Sequence, residues 1–347
     1  MSPDRQMQDR STQRLVLLVA GLGLLNLCAW LALWGLAGAA SAPVIEVGTL
    51  AWFLGLRHAF DADHIAAIDN VTRKLRQDGT RSVTTGLFFA LGHSTVVILL
   101  SFAIALGVSM HAGGHARPQF WGGLAGTVIS AGFLTLIGIV NLVIFVQLWG
   151  AFDSYRSDGR SGNEIDQEIA ALLNRRGLAA RLFRFLYRRI DAGWKMYFVG
   201  LLFGLGFDTA TEVALLGISA TAAASHTLPL WGIMVFPLMF TAGMTLMDAL
   251  DGAFMMQLYD WAFADGLKKL FFNTAITGLT VMVAFVVGGI EWLQVLSAEL
   301  RLNGPFWTAI NNLNFEQMGL IVAAFIMFAW LVAWQSYRRY AGSVAAR

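Results

Sequence analysis

The sequence has little of what an ordinary soluble protein contains. Only 13% of its 347 residues are charged, whereas a typical soluble domain has about 25%. It has one cysteine, Cys28, which excludes an internal disulfide framework and any metal site built from several cysteines. It also lacks the phosphate-loop motif G-x-x-x-x-G-K-[ST], which excludes ATP hydrolysis by that route. These shortages argue against a soluble domain and against one that carries its own ATP-binding module.

Hydrophobic residues are abundant instead. They make up 57% of the chain and recur in runs of about twenty, the length that crosses a bilayer as a helix. The pattern predicts an all-α, polytopic integral membrane protein with about eight transmembrane helices. The first run is longer than the apolar core of a secretory signal, so we assign it as a span. The predicted spans are Leu15–Ala39, Val47–Val71, Ser82–Val108, Trp121–Phe152, Met196–Ala223, Leu228–Gln257, Leu270–Trp292 and Gln317–Tyr337.

The distribution of basic residues predicts how the spans are oriented. We treat residues 1–347 as one membrane domain, with an N-terminus (1–14), spans 1–4 (15–152), a loop (153–195), spans 5–8 (196–337) and a tail (338–347). The side with the termini and the loop carries 21 of the Lys and Arg residues, and the opposite side carries only Arg117 and Arg301. The positive-inside rule therefore places both termini in the cytoplasm. We expect a multi-pass protein of the bacterial cytoplasmic membrane that contacts the lipid bilayer and no nucleic acid.

Carboxylates and imidazoles are concentrated inside four of these spans. Most of the stretch GLRHAFDADHIAAIDNVTRK, from Gly55 to Lys74, belongs to the second span, which ends at Val71. Each charged group at this depth costs roughly 2.5–3.5 kcal/mol, and Arg57 is the one fixed cation among them. The excess negative charge therefore requires protons or a metal ion. Besides the acid Asp69, the candidate metal ligands are His58, Asp61, Asp63, His64, His93, Asp208, Glu212, Asp248 and Asp251.

The types and spacing of these ligands narrow the prediction. Imidazole mixed with carboxylate favours nickel, cobalt, zinc or iron(II) over magnesium, calcium or copper(I). On an ideal helix with about 100° per residue, His58, Asp61, His64 and Asp69 share one broad face, whereas Asp63 falls about 140° from His58. We therefore expect either a distorted helix at this point or a different partner for Asp63.

Four segments resemble the signature segments of the nickel/cobalt transporter family, NiCoT. They are RHAFDADHIAAIDN from Arg57, LGHSTVV from Leu91, LGFDTATE from Leu205 and GMTLMDALD from Gly243, and the resemblance covers essentially the whole chain. It implies high-affinity uptake of Ni2+ or Co2+ by a secondary permease, with no enzymatic activity and no resident cofactor. It also implies that His58, Asp63 and His64 are essential, and that His93 and the acids of the fifth and sixth spans contribute. The loop 153–195 contains no histidine, which favours uptake over the efflux branch of related proteins.

Two pairs of segments indicate an inverted repeat of three helices. FDADHIAAI from Phe60 resembles FDTATEVAL from Phe207, and FALGHST from Phe89 resembles FTAGMTL from Phe240. The corresponding spans are three apart and cross in opposite directions. That is the arrangement of transporters whose substrate site lies between two inverted repeats.

Two other functions would use related chemistry. An intramembrane metal-dependent hydrolase would place the same His and Asp groups around a metal-bound water, but H-E-x-x-H is absent. A transporter of organic cations would favour aromatic boxes, whereas the tryptophans mostly lie near span ends, as interface anchors do. We interpret the predicted external segment His111–His115 and the predicted amphipathic helix Glu164–Arg175 as solvated connectors. The sequence leaves open the choice between nickel and cobalt, and between uniport and proton coupling.

Overall fold

The computed structural model describes residues 3–40, 42–110, 122–158, 190–205, 210–225, 228–262, 266–313, 318, 321–332 and 334–335. These residues are helical and contain no strand, which confirms the all-α prediction. The helices are α1 (Pro3–Ala40), α2 (Ala42–His58), α3 (Ala62–Gln77), α4 (Thr85–Met110), α5 (Gly122–Asp158), α6 (Met196–Phe203), α7 (Ala210–Ala224), α8 (Leu230–Ile233), α9 (Val235–Ala262), α10 (Gly266–Glu299), α11 (Pro305–Asn311) and α12 (Ile321–Val332). The predicted helix Glu164–Arg175 and the segment His111–His115 lie outside the described residues.

Five segments of the described residues are long and apolar enough to cross a bilayer, so the chain is a multi-pass membrane protein. They are Gln13–Leu36, Thr85–Gly107, Ser130–Gly150, Leu230–Asp260 and Thr274–Glu299. They match the first, third, fourth, sixth and seventh predicted spans. Within the described residues, the second span is divided between α2 and α3, the fifth between α6 and α7, and the eighth is represented by the shorter α12. The count of eight therefore stays a prediction.

Apolar side chains cover the outside of the bundle. Leu17, Leu31 and Ile321 are 70%, 61% and 68% exposed, which suits a surface that faces lipid hydrocarbon. Burial also separates the helices into layers. In the most apolar 18 residues of Leu230–Asp260, 67% of the residues are buried, against 17% in the corresponding part of Gln13–Leu36. Hence α9 lies in the centre of the bundle and α1 at its edge.

The second predicted span is interrupted by a turn at residues 59–61. The backbone N–H of Asp61 donates to the carbonyl of His58 (2.9 Å), and that of Phe60 donates to the carbonyl of Arg57 (3.1 Å), so α2 ends in a tightened turn. Asp61 is extended (φ −63°, ψ 140°), and α3 begins at the next residue. The helix is therefore distorted within the predicted span 47–71, which is one of the two alternatives that the position of Asp63 left open, and the ligands do not share one face of a continuous helix. The interruption places His58 at the end of one helix and His64 in the first turn of another.

The end of α3 also differs from the prediction. Arg73 and Lys74 follow Val71, the predicted end of the second span, and are two of the 21 basic residues assigned to the cytoplasmic side, but α3 continues to Gln77 and both side chains are buried. Arg73 Nη1 donates to Thr277 Oγ1 (2.7 Å), and Lys74 Nζ donates to the carbonyl of Ile190 (2.5 Å). Their long side chains find partners in neighbouring segments, and so both charges remain inside the protein.

Two helix crossings in the bundle have the same design. A Cβ atom at Gly55 of α2 would overlap the carbonyl oxygen of Phe240 in α9, and one at Gly243 of α9 would overlap that of Trp52 in α2. These backbones touch because the glycines carry no side chain.

The second crossing joins α4 and α6. A Cβ at Gly200 of α6 would overlap the carbonyl oxygen of Phe89 in α4, and one at Gly92 of α4 would overlap that of Tyr197 in α6. In each crossing the first span of one repeat packs on the second span of the other, which is the pairing that the predicted internal repeat requires. Gly92 and Gly243 hold the same place in the segments FALGHST and FTAGMTL. The repeat itself stays a prediction.

Candidate metal centre

Three histidines from three helices meet in the interior of the bundle. His58 ends α2, His64 lies in the first turn of α3, and His93 lies in α4. One ring nitrogen of each can be chosen so that all three lie within 4.8 Å of one another. The residues are 1%, 0% and 3% exposed. We call these three residues the histidine triad; their spacing suits a single metal ion bound by imidazole nitrogens.

A glutamate completes the closest part of this cluster. The Nε2 atoms of His58 and His93 lie 3.2 Å apart. Two lone pairs at this distance repel, so a proton or a metal cation must lie between or beside them. Oε1 of Glu212 lies 2.8 Å from His93 Nε2 and 3.8 Å from His58 Nε2. Because Glu212 is in the first turn of α7, the helix dipole stabilises its carboxylate there.

Two further carboxylates hold the outer edges of the imidazole rings. Oδ2 of Asp61 lies 2.8 Å from Nδ1 of His58, and Oδ2 of Asp248 lies 3.2 Å from Nδ1 of His64. A carboxylate at Nδ1 favours the tautomer with the proton on that nitrogen and leaves the Nε2 lone pair for a metal. The Nε2 atom of His64 is buried and has no hydrogen-bond partner among the described residues.

The remaining predicted ligands take different positions. Oδ1 of Asp63 accepts a hydrogen bond from the backbone N–H of His64 (2.9 Å) and so holds the first turn of α3. Asp251 lies one turn after Asp248 on α9, is partly buried, and its Oδ2 has no hydrogen-bond partner in the described part of the chain. Asp208 lies outside the described residues.

Asp69 belongs to a separate polar group further along α3. It accepts a hydrogen bond from the hydroxyl of Tyr259, and the neighbouring Asn70 accepts one from Asn141 Nδ2 (2.5 Å). These contacts join α3 to α9 and α5. The partners explain how an acid at this depth is tolerated without a metal ligand role.

Three further buried residues were not among the candidate metal ligands. Glu291 of α10 is 3% exposed and accepts a hydrogen bond from Ser130 of α5 (2.8 Å); its place inside the predicted seventh span could have indicated it. Phe89 and Phe240 place their rings against triad histidines, with centroids 4.8 Å from His64 and 5.4 Å from His58. Among the 25 phenylalanines of the sequence, these two are marked only as the first residues of the similar segments FALGHST and FTAGMTL.

Comparison with known proteins shows which family the chain belongs to. The family model described as high-affinity nickel-transport protein, NicO, matches residues 44–335, which include every residue of the cluster. The chain belongs to this family. Members of the high-affinity nickel-transport family are transport proteins, so the protein is a transporter and not an enzyme.

Curated relatives of the high-affinity nickel-transport family match nearly the whole chain. The high-affinity nickel transport protein of Cupriavidus necator is 46% identical over 333 residues, which is 95% of this chain and 93% of that protein. The nickel transporter NicT of Mycobacterium tuberculosis is 41% identical over 92% of this chain and 87% of its own. The cobalt transport protein NhlF of Rhodococcus rhodochrous is 40% identical over 84% and 82%. No solved structure matches the chain.

Proposed function

We propose that the protein takes up Ni2+, Co2+ or both across the bacterial cytoplasmic membrane, and that the histidine triad holds the ion in transit. The observation that carries this proposal is the convergence of three buried imidazoles within 4.8 Å. Their number and type suit a borderline divalent ion better than Mg2+ or Ca2+, which prefer oxygen ligands. The relatives are named as nickel or cobalt transport proteins, which supports the same substrates.

The ligands fall into two groups by what they touch. The Nε2 atoms of His58 and His93 and the carboxylate of Glu212 lie next to one another, and in this proposal they bind the ion directly together with the unpartnered Nε2 of His64. Asp61 and Asp248 contact the opposite ring nitrogens of His58 and His64 and orient those rings. The loss of such an orienting carboxylate typically weakens metal binding about 10–100-fold.

The proposed direction of transport agrees with simple electrostatics. A cation that carries two charges gains about 4.6 kcal/mol per 100 mV when it moves toward a negative interior. Uptake as a secondary permease therefore needs no ATP-hydrolysing module. On the proposed topology, with both termini in the cytoplasm, α2 and α9 begin at the external side, and α4 begins at the cytoplasmic side.

Uptake of radiolabelled nickel tests the proposal. Cells that express His64→Ala should lose uptake at limiting metal while the protein remains in the membrane, because the substitution removes a buried nitrogen that no neighbour replaces. His111→Ala, which removes a histidine from the predicted external loop, is the matched control and should retain uptake. Excess Co2+ should compete with nickel in the parent protein. Normal uptake by His64→Ala would remove the triad from the transport site.

A further inference from the structure

Phe89 and Phe240 each place a ring against a histidine of the triad. Both are 0% exposed. The ring of Phe89 meets His64 almost edge-on, at 87° and 4.8 Å between centroids. The ring of Phe240 is tilted by 38° against His58, at 5.4 Å. Two apolar rings therefore contact two different ligands of the proposed site.

These phenylalanines also occupy equivalent places in the internal repeat. Phe89 begins FALGHST and Phe240 begins FTAGMTL. The carbonyl oxygen of each is the atom that approaches a glycine of the other repeat, Gly200 and Gly55 respectively. Hence each ring is attached to a helix crossing, and movement at a crossing moves the ring.

The two rings lie at different depths in the membrane. Gly86 of α4 approaches the backbone of Asp248 in α9 so closely that a Cβ would overlap its carbonyl oxygen, so these two positions share a depth. From there Phe89 lies three residues outward along α4, about 4.5 Å, and Phe240 lies eight residues outward along α9, about 12 Å. Side chains lean toward the N-terminus of their own helix, which is the cytoplasmic end of α4 and the external end of α9. The lean increases the separation of the rings.

We infer that Phe240 is the external gate and Phe89 the cytoplasmic gate of the metal site, and that transport opens one at a time. This inference rests on the proposed transport function. The triad is at most 3% exposed, so the described conformation is closed on both sides and a hydrated ion reaches it only after a ring moves. Behind Phe89, the ring of Phe203 packs at 5.3 Å, which gives the cytoplasmic gate an apolar support.

Accessibility of a cysteine in the site tests this inference without measuring transport. Cys28, the single native cysteine, is replaced by serine, and His93→Cys places a thiol between the two rings. A charged, membrane-impermeant thiol reagent is then applied to intact cells or to inside-out vesicles. Phe240→Ala should raise the rate of external labelling by about tenfold and leave cytoplasmic labelling unchanged, because ring contacts of this kind hold the gate closed. Phe89→Ala should have the opposite sidedness.

The chain provides a matched control on the same helix. Phe236 of α9 is also buried, at 2% exposed, and Phe236→Ala should change neither rate. Where an alanine variant fails to reach the membrane, the leucine variant replaces it, with a smaller increase of the same sidedness. Equal increases from both sides, or rates no different from those of Phe236→Ala, would overturn the gates. Labelling needs no metal. A failure of nickel uptake alone would therefore count against the proposed function, whereas only the labelling rates decide whether the two phenylalanines act as gates.

Discussion

Nδ1 of His64 and Oδ2 of Asp248 lie 3.2 Å apart, although 184 positions separate the two residues in the chain. The contact joins the first turn of α3 to the middle of α9, and both residues are buried. The ring of His64 also lies close to those of His58 and His93, with centroids 4.6 and 4.8 Å away. A residue from the second half of the chain thus holds a triad histidine from the first half.

Asp248→Asn should weaken uptake about 10–100-fold, because the amide removes the charge that favours the Nδ1 proton of His64. The measurement is nickel uptake as a function of nickel concentration. Asp260→Asn is the matched control, since Asp260 lies on the same helix but pairs with Arg76 and Arg81. Wild-type concentration dependence in Asp248→Asn would show that the contact does not orient a ligand.

Asp63→Asn should reduce uptake by about tenfold or more, the effect expected for a charged group beside a metal ligand. Asparagine keeps an oxygen that can accept the N–H of His64, so the fold of α3 should survive and the effect should report the charge. Uptake and membrane content are measured together. If neutralisation of Arg57 restored uptake to Asp63→Asn, an ion pair with Arg57 would explain the residue instead.

Phe60→Val should change the ratio of nickel uptake to cobalt uptake more than it changes the amount of protein. Phe60 lies in the turn between α2 and α3, two residues after His58, so its bulk affects how the two helix ends close around an ion. The measurement is uptake of each labelled metal by the same cells. An unchanged ratio would leave Phe60 as a packing residue.

Gly55→Ala should lower the melting temperature of the purified protein, because the added methyl group meets the carbonyl oxygen of Phe240. Forced overpacking of this kind typically costs about 1–3 kcal/mol. Gly200→Ala should behave alike at the equivalent crossing. Gly217→Ala is the control, since a Cβ there meets no atom within 4 Å, and equal melting temperatures in all three variants would contradict the close crossings.

A reporter fused after Asp158 should be cytoplasmic, and one fused near Gly113 should be external. The reason is the asymmetry of 21 basic residues against two between the predicted sides. Paired fusions that are active in only one compartment, such as alkaline phosphatase and green fluorescent protein, measure this directly. Alkaline phosphatase activity after Asp158 would reverse the orientation and exchange the sides of the two gates.

Composition and residue type were enough to predict the fold class and the histidines of the centre. Imidazoles inside apolar helices are costly, so His58, His64 and His93 stand out without any structure. The misfit of Asp63 on an ideal helix correctly suggested a distortion, and the turn at 59–61 is that distortion.

The partners of those histidines could not be predicted in the same way. The pairing of His64 with Asp248 is a tertiary contact, and helical spacing carries no information about which helices become neighbours. Spacing could place Asp61 near His58, three residues away, but not at a particular ring nitrogen. Arg73 was counted among the basic residues of the cytoplasmic side, and nothing in the sequence indicated its buried partner, Thr277 on α10. Phe89 and Phe240 were marked only as the first residues of two similar segments, and an apolar ring gives no sign of its contact with a histidine.

The turn at residues 59–61 allows the two helices beside it to move separately. His58 belongs to α2 and His64 to α3, so a small rotation of one helix changes the distance between the ring nitrogens of the two histidines. In the proposed transport site, the affinity for the ion then depends on the angle between the two helices. Such a site holds the ion tightly in one arrangement and releases it in another while every ligand keeps its own protonation state.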